Sequence, residues 1–128
     1  MENRKKILVV EDDGALLQVL VDRLNAGHVY EVMSAVDGEE AVSLIVDKKP
    51  DLILLDLLLP KLDGFQVLER LRHYPDPKIA SIKVVVLSNL WSNKDILRAQ
   101  SLNIDEYYVK ASSNLEDVMA KMKELLKD

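Results

Sequence analysis

Five polar residues stand at the ends of four short apolar runs, and their types together are those that phosphoryl chemistry uses. Glu11 and Asp12 follow Ile7–Val10, Asp56 follows Leu52–Leu55, Ser88 follows Val84–Leu87, and Lys110 follows Tyr107–Val109. Three carboxylates brought together repel one another unless positive charge offsets them. Lys110 supplies one unit, and a divalent cation supplies two more. Oxygen-only donors with room for water suit Mg²⁺. A carboxylate held beside Mg²⁺ and a lysine is equipped to attack a phosphoryl group and become an aspartyl phosphate. The metal and the lysine would stabilise the charge on the transferring oxygens. A hydroxyl such as that of Ser88 would then hydrogen-bond the new phosphate, and its loop would move toward the added charge.

These side chains meet only if the chain folds so that all four runs end at one edge. Ile7–Val10 and Leu52–Leu55 are continuous apolar runs, the habit of strands buried on both faces in a parallel sheet. Val29–Ala35, Ile82–Leu87 and Tyr107–Val109 read as three further strands. Between them lie apolar residues at helical spacing. Leu16, Leu17, Leu20, Val21 and Leu24 mark a first helix, with Asp13 as its N-cap and Gly27 at its end. Ala41, Leu44 and Ile45 mark a second, and Phe65, Val67, Leu68 and Leu71 a third. Ser92 or Asn93 caps a short fourth helix carrying Ile96, Leu97 and Leu102, with Asn103 at its end. Ser113 to Glu116 has the spacing of a capping box ahead of a fifth helix striped by Leu115, Val118, Met119, Met122, Leu125 and Leu126. Tyr74 to Pro77 is expected to be a loop broken by proline.

Strand then helix, five times over, predicts a doubly wound α/β fold: one five-stranded parallel sheet covered by helices on both faces. In such sheets ligands sit at the carboxyl ends of the strands, where the strand order reverses. That rule brings Glu11, Asp12, Asp56, Ser88 and Lys110 to one edge.

The chain has 128 residues, which is expected to form one domain over residues 1–128. It carries 17 Lys and Arg against 22 Asp and Glu, a formal net charge of −5. That balance predicts no direct nucleic-acid binding. There is no cysteine, which excludes a disulfide scaffold, a thiol nucleophile and a zinc ribbon, and fits a cytoplasmic location. The start, Met1 to Lys6 followed by four apolar residues, has neither the apolar length nor the cleavage site of a leader. No apolar run approaches the length of a membrane span.

With those motifs in order, the chain resembles the receiver domains of two-component response regulators, similar to the single-domain chemotaxis type. Ile7 to Asp13 resembles the opening strand and acidic pair of that family. Asp51 to Pro60, with Asp63-Gly64, resembles its phosphoacceptor strand and loop. Val84 to Ser88 resembles the strand ending in its hydroxyl, and Asp105 to Lys110 the strand carrying its aromatic and lysine. The resemblance implies a flavodoxin-like (βα)5 fold with strand order 2-1-3-4-5 and a signalling phosphoacceptor rather than a stand-alone enzyme. It implies Asp56 as the phosphorylated residue, Mg²⁺ held by Glu11, Asp12, Asp56 and the backbone carbonyl of Leu58, and Ser88 and Lys110 as catalytic partners. Ser88 and Tyr107 would be the switch residues. It implies phosphoryl transfer from a histidine kinase or a histidine phosphotransfer protein. A downstream protein or a second copy would dock on the face made by the fourth helix, fifth strand and fifth helix, with no membrane involved. Leu59, Asn89 and Ala111 depart from the family's usual residues. Ala111 stands where a proline, often after a cis bond, is usual. Leu58 and Leu90 are apolar where family members control water near the phosphate, which implies slow self-dephosphorylation.

Other readings fare less well. Phosphatases with an aspartate nucleophile usually need a second aspartate two residues on, where this chain has Leu58. A flavin or nucleotide carrier needs a phosphate-cradling loop after the first strand, and here that loop is acidic. A degenerate, unphosphorylated interaction domain on the same fold is the remaining alternative. Singly, Asp12 reads as a helix N-terminal charge, Lys110 as a structural ion-pair partner, and Ser88 as a turn residue. Trp91 reads equally as an exposed docking residue or a lid on the core. His28 and His73 read as surface or helix-end residues.

Overall fold

In a computed structural model, residues 4–127 of the chain are described. Met1 to Asn3, part of the stretch read above for a leader, lie outside the described residues. Five strands form one parallel sheet: β1 (Lys5–Val10), β2 (Tyr30–Ala35), β3 (Leu52–Leu55), β4 (Lys83–Ser88) and β5 (Glu106–Val109). Their order is β2-β1-β3-β4-β5, as expected, with the reversal between β1 and β3.

Among the described residues the α-helices are α1 (Gly14–Asn25), α2 (Gly38–Lys48), α3 (Gly64–Arg72), α4 (Pro77–Ala80), α5 (Asn93–Gln100) and α6 (Leu115–Leu125). The sheet's two faces carry alternate residues of each strand. Ile7, Val9, Leu52, Leu54, Val85 and Leu87 pack with Leu20 and Leu24 of α1 and Val118 and Met122 of α6. Leu8, Val10, Ile53, Leu55, Val84 and Val86 pack with Ala41 and Ile45 of α2, Val67 and Leu68 of α3 and Ala99 of α5. Each large buried side chain contributes about 1.5–3 kcal/mol. Because both faces are covered, the central strands are apolar throughout and show no alternation in sequence.

Local chemistry moves several ends from their expected places. The helix α1 stops at Asn25, and the left-handed residue beyond it is His28 (φ 53°), not Gly27. Asn114, not Ser113, caps α6, accepting from the Glu116 N–H at 2.7 Å. Pro77, expected to end a loop, instead opens an extra turn, α4. Asp76 caps it, and Pro77 sits at the start, where its missing N–H costs nothing. The fourth and fifth helices of the sequence reading are therefore α5 and α6. Every described peptide bond is trans, including Lys110–Ala111, and a 3-10 turn spans Lys110–Ser112.

Arg72, at the end of α3, ties three segments together. Its guanidinium donates to the carbonyls of Ala80 (2.9 Å), Ile82 (2.7 Å), Leu102 (2.8 Å) and Asn103 (2.7 Å). These bonds hold α4, the start of β4 and the α5–β5 connection at fixed spacing. Replacing Arg72 by Met leaves the carbonyls without their charged donor, and charged hydrogen bonds are the stronger kind. Arg72→Met is expected to lower stability by about 2 kcal/mol, seen as a lower urea midpoint at unchanged slope.

Candidate functional site

Strand register brings the polar residues together. Val10 pairs with Leu55, so Glu11 and Asp56 emerge side by side from β1 and β3. Ser88 pairs with Val109, so Ser88 sits next to Lys110 at the same edge. The Asp56 N–H donates to the Val10 carbonyl (3.1 Å) and the Glu11 N–H to the Ala35 carbonyl (3.0 Å), which prolongs the sheet's bonding past the strand ends. Carboxylate oxygens of Glu11, Asp12 and Asp56 lie within 4.8 Å of one another. All five expected residues therefore share one site.

The Lys110 ammonium stands between two of these carboxylates, 2.7 Å from Asp56 Oδ2 and 2.8 Å from Glu11 Oε1. Glu11 and Asp56 are buried, at 2% and 3% exposure. Two backbone donors complete them. The Asp13 N–H reaches Glu11 Oε2 at 3.1 Å, and the Leu58 N–H reaches Asp56 Oδ1 at 3.1 Å. Burial pushes the Glu11 carboxyl above its usual range, against the lowering pull of its bonds to Lys110 and the Asp13 N–H. Burial alone would lower the Lys110 ammonium, but its hydrogen bonds to Asp56 and Glu11 outweigh that and raise it. Lys110 therefore remains charged. Asp12 differs from its neighbours: it is exposed and opens the site to water.

Three carboxylates face one lysine, which leaves negative charge unbalanced. The donor set is all oxygen, close enough to share one small ion, and open to water on the Asp12 side. It fits Mg²⁺, which takes one or two carboxylates and keeps several waters.

The loop after β3 folds tightly against the site. The Gly64 N–H donates to the Leu57 carbonyl at 2.9 Å. A Cβ at Gly64 would lie 2.6 Å from the Asp56 carbonyl oxygen and 2.5 Å from Leu57 Cα, so only glycine admits this approach. Asp63 caps α3 and completes a capping box with Gln66. Leu58, the second residue after Asp56, points outward at 51% exposure. It offers no acid or base where a phosphatase would carry an aspartate.

On the other side, Ser88 is fully buried, and its Oγ accepts a long hydrogen bond from the Leu90 N–H at 3.4 Å. The Tyr107 hydroxyl donates to the Leu90 carbonyl at 2.7 Å. Burial, with Asp95 and Asp56 nearby, pushes this phenol up to about 12. Tyr107 thus ties β5 to the loop that begins at Ser88. Trp91 in that loop is 74% exposed, so it is no lid on the core. His28 is exposed and His73 ends α3, as expected.

Arg98 was not singled out in the sequence. From α5 it stacks over the Phe65 ring, 4.1 Å from its centroid. It lines an open cleft of about 480 Å³ together with Asp12, Leu58, Leu90 and Asp63. Its spacing on a polar helix face gives no sequence signal, because Phe65 belongs to another helix.

A doubly wound sheet with a lysine-bridged acidic cluster at its switch point defines a class of phosphate-handling α/β domains. The chain belongs to the response regulator receiver domain family, whose pattern matches residues 7–123. It is 38% identical over 125 residues to "Probable transcriptional regulator ycf27" of Cyanophora paradoxa, covering 98% of this chain and 49% of that protein. It is 37% identical over 122 residues to "DNA-binding dual master transcriptional regulator RpaA" of Synechocystis sp., covering 95% of this chain and 49% of that one. The chain thus spans about half the length of these curated relatives. Among solved structures, a two-component response regulator from Clostridium difficile superposes with a TM-score of 0.84 at 28% identity, covering 96% of each chain. Receiver domains of this family are signalling proteins that bind Mg²⁺ at an acidic cluster.

These relatives correct the expected partners. The acidic balance predicted no direct nucleic-acid binding, yet RpaA is named as DNA-binding. The net charge of a stretch spanning half of such a protein does not report on the whole protein's contacts with DNA. Among the described residues no helix is long and apolar enough to cross a membrane.

Unbalanced charge at the site has a measurable cost without metal. Asp12→Asn removes one of three mutually repelling carboxylates at an exposed position. In metal-free buffer it is expected to raise stability by about 0.5–1 kcal/mol, measured by urea unfolding in the presence of chelator. A lower midpoint would contradict this account of the site.

Proposed function

We propose that Asp56 is the phosphoacceptor of this domain, taken as one unit over residues 1–128, and that it is charged from a histidine kinase or a histidine phosphotransfer protein. The observation that carries the reading is the Asp56 carboxylate. It is buried, bonded to Lys110 at 2.7 Å, and shares its oxygen cluster with Glu11 and Asp12. An Asp56 oxygen attacks phosphorus, the donor's phosphorus–nitrogen bond breaks, and its electron pair returns to the imidazole.

Glu11, Asp12, Asp56 and the carbonyl of Leu58 would hold Mg²⁺. When bound, the ion offsets negative charge on the phosphoryl oxygens. Lys110 keeps its charge and moves its hydrogen bond from the carboxylate to a phosphoryl oxygen. The Leu58 N–H holds the other Asp56 oxygen in place. Ser88 turns its hydroxyl to the phosphate and gives up its weak 3.4 Å bond to Leu90. Because Tyr107 is tied to Leu90, that movement reaches β5. The domain thereby catalyses its own phosphorylation and later hydrolysis. A cytoplasmic location belongs to the same proposal. The exposed apolar Leu58 and half-buried Leu90 flank the site and obstruct an attacking water, which supports slow self-dephosphorylation.

Acetyl phosphate with Mg²⁺ is expected to add one phosphoryl group to the intact mass. The gain should need the metal and vanish in Asp56→Asn. A folded protein that takes up no phosphoryl beside a working control receiver would count against the proposal. A phosphoryl half-life of only seconds would count against the slow hydrolysis.

A further inference from the structure

The edge of the sheet opposite Asp56 carries a second charged concavity, and nothing in the receiver chemistry uses it. A groove of about 660 Å³ opens where the strands begin, lined among the described residues by seven lysines against two aspartates. The lysines arrive from separate elements: Lys5 and Lys6 from β1, Lys48 from the end of α2 and Lys49 just beyond it. Lys78 comes from α4, Lys83 from β4, and Lys127 from beyond α6. In a chain with a net charge of −5, this is a local reversal of sign.

A structural role accounts for only part of it. Two helices, α2 and α6, end at this edge, and each terminus carries about half a negative charge. Lys6 Nζ donates to the Lys48 carbonyl at 3.3 Å and Lys83 Nζ to the Leu125 carbonyl, so two lysines already answer the helix ends. Lys49 pairs with Asp76 at 3.3 Å, and Lys48 has Asp47 at 3.7 Å. Lys78 and Lys127 add positive charge beside these pairs, and all of it faces a concavity, where low-dielectric walls concentrate its field.

We propose that this groove binds a compact oligophosphate anion, either inorganic or carried by a nucleoside. Its volume falls in the range of small-ligand sites, about 300–1,000 Å³. Lysine ammoniums are point charges that meet phosphate oxygens from several directions, and here they converge from four elements and from the segments just beyond α2 and α6. Ile82 and Leu126 add apolar wall beside them, which suits the base of a nucleotide. The site lies across the sheet from Asp56, so it stands independently of the phosphoacceptor reading.

The test is amide chemical-shift titration of the chain with inorganic tripolyphosphate in metal-free buffer, repeated with adenosine triphosphate. Saturable shifts are expected at residues 5–6, 47–51 and 78–83, with none at Glu11 or Asp56. The triple variant Lys48→Gln/Lys78→Gln/Lys127→Gln changes exposed side chains and should bind about tenfold more weakly. Its amide spectrum away from the groove should match the parent's, which shows it is folded. Equal affinity for both probes identifies the phosphate chain alone as the ligand, and tighter binding of the nucleotide identifies the nucleoside form. Unsaturable shifts, or affinity unchanged in the triple variant, overturn the proposal. So does tighter binding of a DNA duplex at the same ionic strength, which would make the edge an extended polyanion surface.

Discussion

One ammonium holds two buried carboxylates at the centre of this domain. Lys110 lies within 2.8 Å of both Glu11 and Asp56, and neither acid touches bulk water to any useful extent. An unpaired carboxylate at such depth would cost several kcal/mol, and removing one partner of a buried pair costs about 3–5 kcal/mol. The arrangement therefore demands that β1, β3 and β5 end at the same level. The all-parallel sheet and its register supply that. Val10 opposite Leu55 and Ser88 opposite Val109 set the heights of the acids, the hydroxyl and the lysine together.

The same balance explains why the site is not closed. Lys110 answers Glu11 and Asp56, and the exposed Asp12 is left over. A fully neutralised cluster would be a structural ion pair and nothing more. The remaining charge leaves a position for a cation, and the buried oxygens of Asp56 stay polarised by a lysine and a backbone N–H. Gly64 contributes by letting the β3–α3 loop close onto the Asp56 backbone where any Cβ would collide. Tyr107 and Leu90 connect this centre to β5 through a single 2.7 Å hydrogen bond.

Much of this was legible in the residues. The apolar runs ending at Glu11, Asp56 and Ser88 are visible because the central strands are buried on both faces, so the first polar residue after them marks the edge, while the half-buried β5 gives the same signal at Lys110 more weakly. Features set by distant parts of the chain were not visible. Arg72 reads as an ordinary surface residue until Ala80, Ile82, Leu102 and Asn103 bring their carbonyls to it. Pro77 signals both a broken loop and the first position of a helix, and Asp76 before it decides for the helix. Ser113 and Asn114 are both competent caps, and only the backbone path selects Asn114. The left-handed turn after α1 falls on His28 although Gly27 is the residue built for it. The lysines of the far edge are scattered from 5 to 127 and look like solvated faces one by one. Topology alone gathers them. The expectation about nucleic acid failed for another reason: net charge describes this stretch, and the relatives are about twice as long.

The central claim is that three carboxylates facing one lysine leave a place for one divalent cation. Isothermal titration with Mg²⁺ tests it most directly. The account predicts saturable binding of one ion per chain, weakened when Asp12 is changed to Asn. No saturable binding, or affinity indifferent to Asp12, would contradict it.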